Sequence, residues 1–160
     1  YSWRGPTASQ ATGLTLAAAR AVIDAVHDVA RSLGVAMSCA VVDAGDQLVA
    51  FERMDAADLV GITLARDKAF TALANRMPTR DLAPIVQPGT EFYGYDSVAA
   101  GRTIVFAGGM PLERDGILVG AIGVSAGAAA QVPAPKTAIM IVPKMPPTPC
   151  TAKTSSVSST

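Results

Sequence analysis

The chain is poor in the residues that most often carry chemistry or cross-links. Among its 160 residues there is one histidine, His27, and there are two cysteines, Cys39 and Cys150. One cysteine lies in an apolar run and the other near the end, so they form no disulfide framework, and neither CxxC nor Cys/His zinc spacing occurs. A single histidine with no partner cluster is a weak metal signal. This cysteine usage points to a reducing, cytoplasmic setting. The start, Tyr1-Ser2-Trp3-Arg4-Gly5-Pro6, has no signal-peptide pattern, and its lack of methionine is equally compatible with a secretion leader already removed. An excess of either charge is missing too. Thirteen Lys+Arg balance 13 Asp+Glu, which gives no reason to expect a nucleic acid or a membrane surface as partner. No apolar run reaches the length that spans a bilayer. There is no P-loop and no GxGxxG following a strand. The letters of a Gly-x-Ser-x-Gly nucleophile turn occur at Gly123 to Gly127, but the lone histidine lies on a helix and no triad can be assembled. Asp43, Glu52, Asp55 and Glu91 are acid–base candidates by loop position alone.

What is present is apolar. Half of the residues are hydrophobic, enough for one domain with a sizeable core. Residues 1–12 read as an irregular arm. Thr15 to Leu33 has helical periodicity, with Thr12 or Thr15 as cap at its start and Gly34 at its end. Ala18, Val22, Val26, Val29 and Leu33 share its apolar side, and Arg20, Asp24, His27, Asp28 and Arg31 the other, so His27 is expected to face solvent. Val35–Val42 and Gln47–Phe51 read as a hairpin turned at Asp43-Ala44-Gly45-Asp46. A second helix is expected over Asp58–Arg76, capped by Asp55 or Asp58. Its apolar face is read as Leu59, Ile62, Ala69, Phe70 and Leu73. That places Arg66 among apolar residues, where it would need a carboxylate or carbonyl partner or would snorkel to the edge, a structural ion pair being favoured over ligand contact. Gly61, Leu64, Lys68, Thr71 and Asn75 then form either a solvent face or a pocket wall. Pro78 ends the helix, Thr79 caps a short turn over Arg80–Ala83, and Pro84–Asp96 is irregular. Phe92, Tyr93 and Tyr95 in that loop are either a local cap on the core or a lid over a site.

The stretch Gly101 to Gly127 organises the rest. Thr103–Phe106 reads as a strand ended by Gly108-Gly109, since Pro111 cannot continue a central ladder. Arg114-Asp115-Gly116 is a hairpin-type turn into a second strand over Ile117–Val124. Gly120 and Gly123 within that strand mark a bulge or the close approach of backbone or ligand. The strand does not alternate apolar and polar residues, so both of its faces need cover. Another subunit is one source of that cover and Thr137–Val142 a second, from which a homo-oligomer is expected. After Gly127 the composition changes. Six of the 11 prolines fall between Pro133 and Pro149, and Thr148–Thr160 is Ser/Thr-rich and reads as disordered. The domain boundaries are therefore drawn at 1–127 for the folded domain and 128–160 for an atypical tail.

Four motifs together resemble one family. They are Arg53-Met54-Asp55, Ala65-Arg66-Asp67-Lys68-Ala69-Phe70-Thr71-Ala72, Gly108-Gly109-Met110-Pro111-Leu112 and Gly120-Ala121-Ile122-Gly123-Val124-Ser125. The chain from about Leu14 to Gly127 looks like the GlcG/HbpS-like, or haem-degrading-domain, family, and is similar to the C-terminal domain of PduO-type proteins. The resemblance implies an α/β (α+β) domain, profilin-like, with an antiparallel sheet of about five strands flanked by helices, assembled as a homo-oligomer. It also implies a closing helix after the last strand, which Pro133 and Pro135 disfavour here. Haem is the cofactor it implies, with His27 as a candidate iron ligand. Lys68 and Thr71 on the second helix and Gly108 and Gly109 at the strand end are the pocket candidates carried over. Three function classes stay open: a haem- or small-ligand-binding protein, a small catabolic enzyme moving a proton on an organic acid or carbonyl compound, and a structural subunit. In the enzyme reading Lys68 or Arg53 holds a carboxylate, and a loop carboxylate or a tyrosine such as Tyr93 moves the proton.

Overall fold

A computed structural model describes residues 13–126. The first element, α1 (Leu16–Leu33), starts where the Thr15 hydroxyl accepts the Ala18 N–H and ends at Gly34 in the left-handed region, as its sequence predicts. Its buried stripe is Ala18, Ala19, Val22, Ile23, Val26, His27 and Ala30. His27 is thus inside rather than in solvent, and Leu33 is the exposed residue. The spacing fits a helix equally well; the stripe is rotated by part of a turn because Ala19, Ile23 and Ala30 face the sheet.

The hairpin β1 (Met37–Asp43) and β2 (Leu48–Arg53) forms as expected. Asp43 Oδ1 accepts the N–H groups of Gly45 and Gln47 and so closes the turn. Helix α2 (Val60–Asn75) follows, then the single turn α3 (Thr79–Leu82) and a long loop with short 3₁₀ turns. Neither Asp55 nor Asp58 caps α2, whose N-terminus has no side-chain cap. The second hairpin is β3 (Gly109–Arg114) and β4 (Ile117–Ala126), joined through Asp115 and Gly116, both at positive φ. The sheet has four antiparallel strands in the order β2-β1-β4-β3, so the architecture agrees with the expectation of an antiparallel sheet flanked by helices, with one strand fewer among the described residues.

The strand expected over Thr103–Phe106 does not form there. That segment is a loop tied to α2, because the Ile104 N–H goes to the Thr71 hydroxyl instead of a ladder partner. The strand starts instead at Gly109 and runs through Pro111. Its edge position in the sheet explains why a residue without an N–H is tolerated there.

Helix α1 covers one face of the sheet and α2 the other. On the α1 side Val22, Ile23 and Val26 pack with Met37, Cys39, Val41, Met110, Leu112, Ile122 and Val124. On the α2 side Ala69, Ala72 and Leu73 pack with Val42 and Ala121. The sheet-facing side of α2 is made of small residues, Gly61, Ala65, Ala69 and Ala72, together with Lys68 and Thr71. Of the apolar face predicted for this helix, Ala69 and Leu73 are inside as expected, but the buried face is rotated to take in Gly61, Lys68 and Thr71 from the opposite side. Leu59 and Ile62 are exposed, and so is Arg66, which needs no buried partner. Close approach, not bulk, decides the face: Gly109 and Gly123 lie against the main-chain oxygens of Lys68 and Ala65, where any Cβ would collide.

Both faces of β4 are thus covered by the chain's own helices, so the lack of alternation in Ile117–Val124 no longer calls for a second subunit. Ile117 alone projects, at 68% exposed. The pairing slips by one residue between Leu112 and Glu113, which places a bulge at Val119 beside Gly120. Ser125 lies inside strand β4 and is buried, so the Gly-x-Ser-x-Gly letters make no strand-to-helix elbow. The 1–12 arm, Thr137–Val142, the tail 128–160 and any closing helix lie outside the described residues.

Candidate functional site

The motif residues of α2 and the second hairpin meet at Lys68. Its ammonium is buried and donates to the Val124 carbonyl oxygen at 3.1 Å. The ring of Phe106 lies over it, 4.8 Å from Nζ to centroid, and Phe106 itself is half-exposed. Gly108, at φ +128°, leaves room for this chain: a Cβ there would come within 2.9 Å of Nζ. Among the described residues no carboxylate lies within ion-pair distance of Lys68. Burial therefore brings its ammonium down to about 8. The space beside Gly108 and Gly109 is filled by Lys68 and by the backbone of α2 and β4, with Thr79 alongside. The Thr79 hydroxyl donates to the Phe106 carbonyl at 2.7 Å and accepts the Gly109 N–H at 2.9 Å, latching the strand start rather than capping α3.

Thr71, one turn along α2, holds the adjoining loop. Its hydroxyl lies 2.7 Å from the Asp67 carbonyl oxygen and 3.2 Å from that of Arg102, and accepts the Ile104 N–H at 2.9 Å. The loop's rings are tied more loosely. Tyr95 donates to Asn75 Oδ1 at 2.8 Å and packs edge-on against Phe92, while Tyr93 is 68% exposed.

The remaining sequence candidates lie elsewhere. Arg53 is exposed at the end of β2, on the sheet edge opposite β3. His27 is on the α1 side, with Nδ1 3.5 Å from Glu52 Oε2, and its Nε2 is buried with no hydrogen-bond partner. Cys39 pairs across strands with Glu52; burial pushes its thiol up to about 12, and the Glu52 charge adds to the shift. Such a thiol is inert at neutral pH. Among the described residues no group of three or more His, Cys, Asp or Glu could hold a metal ion, and no helix is long and apolar enough to cross a membrane.

A second constellation has no counterpart in the sequence reading. Arg102 donates through Nε to Asp67 Oδ1 and through both Nη atoms to Asp46 Oδ2, each at 3.2 Å, and its guanidinium stacks on Phe70 at 4.0 Å. Burial pulls this guanidinium down, but the hydrogen bonds to Asp67 and Asp46 and their charges outweigh it and leave the group raised. Asp46, Ile62, Thr63, Arg66, Asp67 and Arg102 line a cleft of about 260 Å³. Asp46 comes from the first hairpin and Arg102 from a loop 56 residues later, so no local spacing could have joined them.

Comparison with known proteins agrees with the geometry. Residues 14–132 match the family of haem-degrading HbpS-like proteins. An uncharacterised 15.0 kDa protein from the dhaT–dhaS intergenic region of Citrobacter freundii is 35% identical over 122 residues, 76% of this chain and 86% of that one. Among solved structures, protein OrfY of Klebsiella pneumoniae superposes with a TM-score of 0.71 at 30% identity, covering 87% of this chain and 92% of that one. The haem complex of PduOC superposes with a TM-score of 0.70 at 34% identity, covering 82% of this chain and 91% of that one. With more than half of its length matched by the family model, the chain belongs to the HbpS-like family of haem-degrading proteins.

Proposed function

We propose that this chain is a haem-binding module. The observation that carries the reading is its likeness to the PduOC haem complex across most of both chains. Haem is a flat apolar ring edged by two carboxylates, and the residues around Lys68 suit those parts. Lys68 is a cation with no carboxylate partner among the described residues, covered by a half-exposed ring, Phe106. Lys68 holds a propionate in this reading, and Phe106 with the exposed rings of Phe92 and Tyr93 offers apolar contact. When bound, haem would supply an iron centre whose reactivity the surrounding polarity tunes. His27 fits less well as an iron ligand, since its Nε2 is sealed between α1 and the sheet. Tyr93, exposed and of a residue type that does ligate haem iron, is the better candidate.

Haemin titrated into the purified chain is expected to give a saturable Soret shift. No shift at micromolar protein would remove the reading. Lys68→Gln should weaken binding by about tenfold, the scale of one charge-assisted hydrogen bond, while His27→Ala should leave it unchanged. A homo-oligomer remains part of the proposal on different grounds from those of the sequence. Leu59 and Val60 at the start of α2 are 76% and 61% exposed, an apolar pair suited to a contact between copies. A monomer mass by light scattering across a micromolar dilution series would dismiss it.

A further inference from the structure

The ammonium of Lys68 is bounded by backbone on its inner side and by a ring on its outer side. Within, it donates to the Val124 carbonyl oxygen at 3.1 Å. Above it lies Phe106, 4.8 Å from Nζ to the ring centroid. Lys68 is 5% exposed and Phe106 49%, so the ring is the layer between the ammonium and water. The adjacent Gly108 has no side chain and adds no cover. In this arrangement a propionate cannot reach Nζ, although no carboxylate among the described residues competes for it.

The ring can leave while the main chain stays. On one side of it the Ile104 N–H is held by the Thr71 hydroxyl. The Phe106 carbonyl and the Gly109 N–H are both held by Thr79, and the Gly108 carbonyl accepts the Val124 N–H at 2.8 Å. The side chain of Phe106 belongs to neither apolar core cluster. Rotation about its χ1 therefore uncovers Nζ without breaking a backbone hydrogen bond. A ring face at a half-exposed position holds a cation weakly, whereas a carboxylate makes a charge-assisted hydrogen bond to it. We propose that Phe106 is a gate on Lys68: the ring covers the ammonium in the free chain and turns outward before a carboxylate reaches it. The identity of that carboxylate, a haem propionate, rests on the haem-binding reading; the covering does not. A ring that is closed in about nine molecules of ten slows association about tenfold.

Two rates test the gate, one of them without haem. The first is acetylation of Lys68 in the full chain by N-hydroxysuccinimidyl acetate at pH 8, read by peptide mass spectrometry. Lys68 is the first lysine in the sequence and the next is Lys136, so cleavage after arginine isolates it in the peptide Asp67–Arg76. Phe106→Ala, outside both core clusters and so compatible with the fold, is expected to speed this acetylation about tenfold. Phe106→Tyr keeps a covering ring and should stay within about twofold of the unsubstituted chain. Ile117→Ala, at an exposed position at the far end of the β3–β4 hairpin, should do the same. The second rate is haemin association by stopped flow, which Phe106→Ala should raise by a similar factor. Loss of an apolar contact with haem shows separately, as faster dissociation. The gate is overturned if Phe106→Ala leaves acetylation of Lys68 unchanged, if Phe106→Tyr speeds it as much as alanine does, or if haemin associates no faster with Phe106→Ala. A chain that gives no Soret shift with haemin removes the haem-binding reading instead, and the acetylation series still decides whether the ring covers Lys68.

Discussion

Gly123 of β4 lies directly under Ala65 of α2, so close that a Cβ on the glycine would collide with the Ala65 carbonyl oxygen. The obstacle is backbone on both sides and cannot rotate away. Gly123→Ala is therefore expected to destabilise the fold by about 3 kcal/mol or more, at the upper end of overpacking effects. Gly45→Ala is the control. Its nearest neighbour would be Asp43 Oδ1 at 3.4 Å, an ordinary contact, and the change should stay within about 0.5 kcal/mol. Urea unfolding of the two variants checks both. Equal midpoints would mean that α2 does not pack on the sheet as closely as described.

That contact also shows how far the sequence could be read. Both hairpin turns, the limits of α1 and the close approach at Gly120 and Gly123 were legible, because Gly and Asp in turns and a threonine cap act locally. The face of α2 was legible only in part, at Ala69 and Leu73. Hydrophobic periodicity assumes that large apolar residues go inward, but here the glycines of β3 and β4 admit only small ones, and Leu59 and Ile62 are left outside. His27 was misplaced because an imidazole reads as polar while the stripe through Ile23, Val26 and Ala30 carries it inward. The Thr103–Phe106 segment has strand composition, yet its first free N–H is claimed by Thr71. Of the candidate residues, Lys68, Gly108 and Gly109 do converge, whereas the Asp46–Arg102–Asp67 clamp joins distant segments and left no local trace.

The Thr71 hydroxyl is the one side-chain acceptor for the Ile104 N–H. Thr71→Val keeps the shape and removes the oxygen, which leaves a donor unpaired beside a buried residue. The expected loss is about 1–3 kcal/mol, the usual cost of an unsatisfied buried group. Hydrogen exchange distinguishes this from a general loss of packing. The Ile104 amide should lose protection well beyond the amides of α1, on the far face of the sheet. Uniform loss across both helices would contradict a local anchoring role.

Two buried groups make the stability of this chain depend on pH in opposite directions. Lys68 is lowered from 10.5 to about 8, so between those values the unfolded chain holds a proton that the folded chain has given up. Stability from this group is therefore present above about pH 10.5 and lost as pH falls through 8, a linkage worth at most about 3 kcal/mol. Cys39 acts the other way. Its thiol is raised from 9.0 to about 12, so its contribution is complete below pH 9 and lost as pH climbs toward 12. The two effects overlap above pH 9 and partly cancel in the unsubstituted chain. Cys39→Ala removes one of them, and its stability is expected to rise from pH 8 to pH 10. Adding Lys68→Met should abolish the rise, whatever its effect on stability at pH 7. Denaturant midpoints at half-unit pH steps provide the measurement. An undiminished rise in the double variant would show that Lys68 titrates at its ordinary value and has access to water or to an anion.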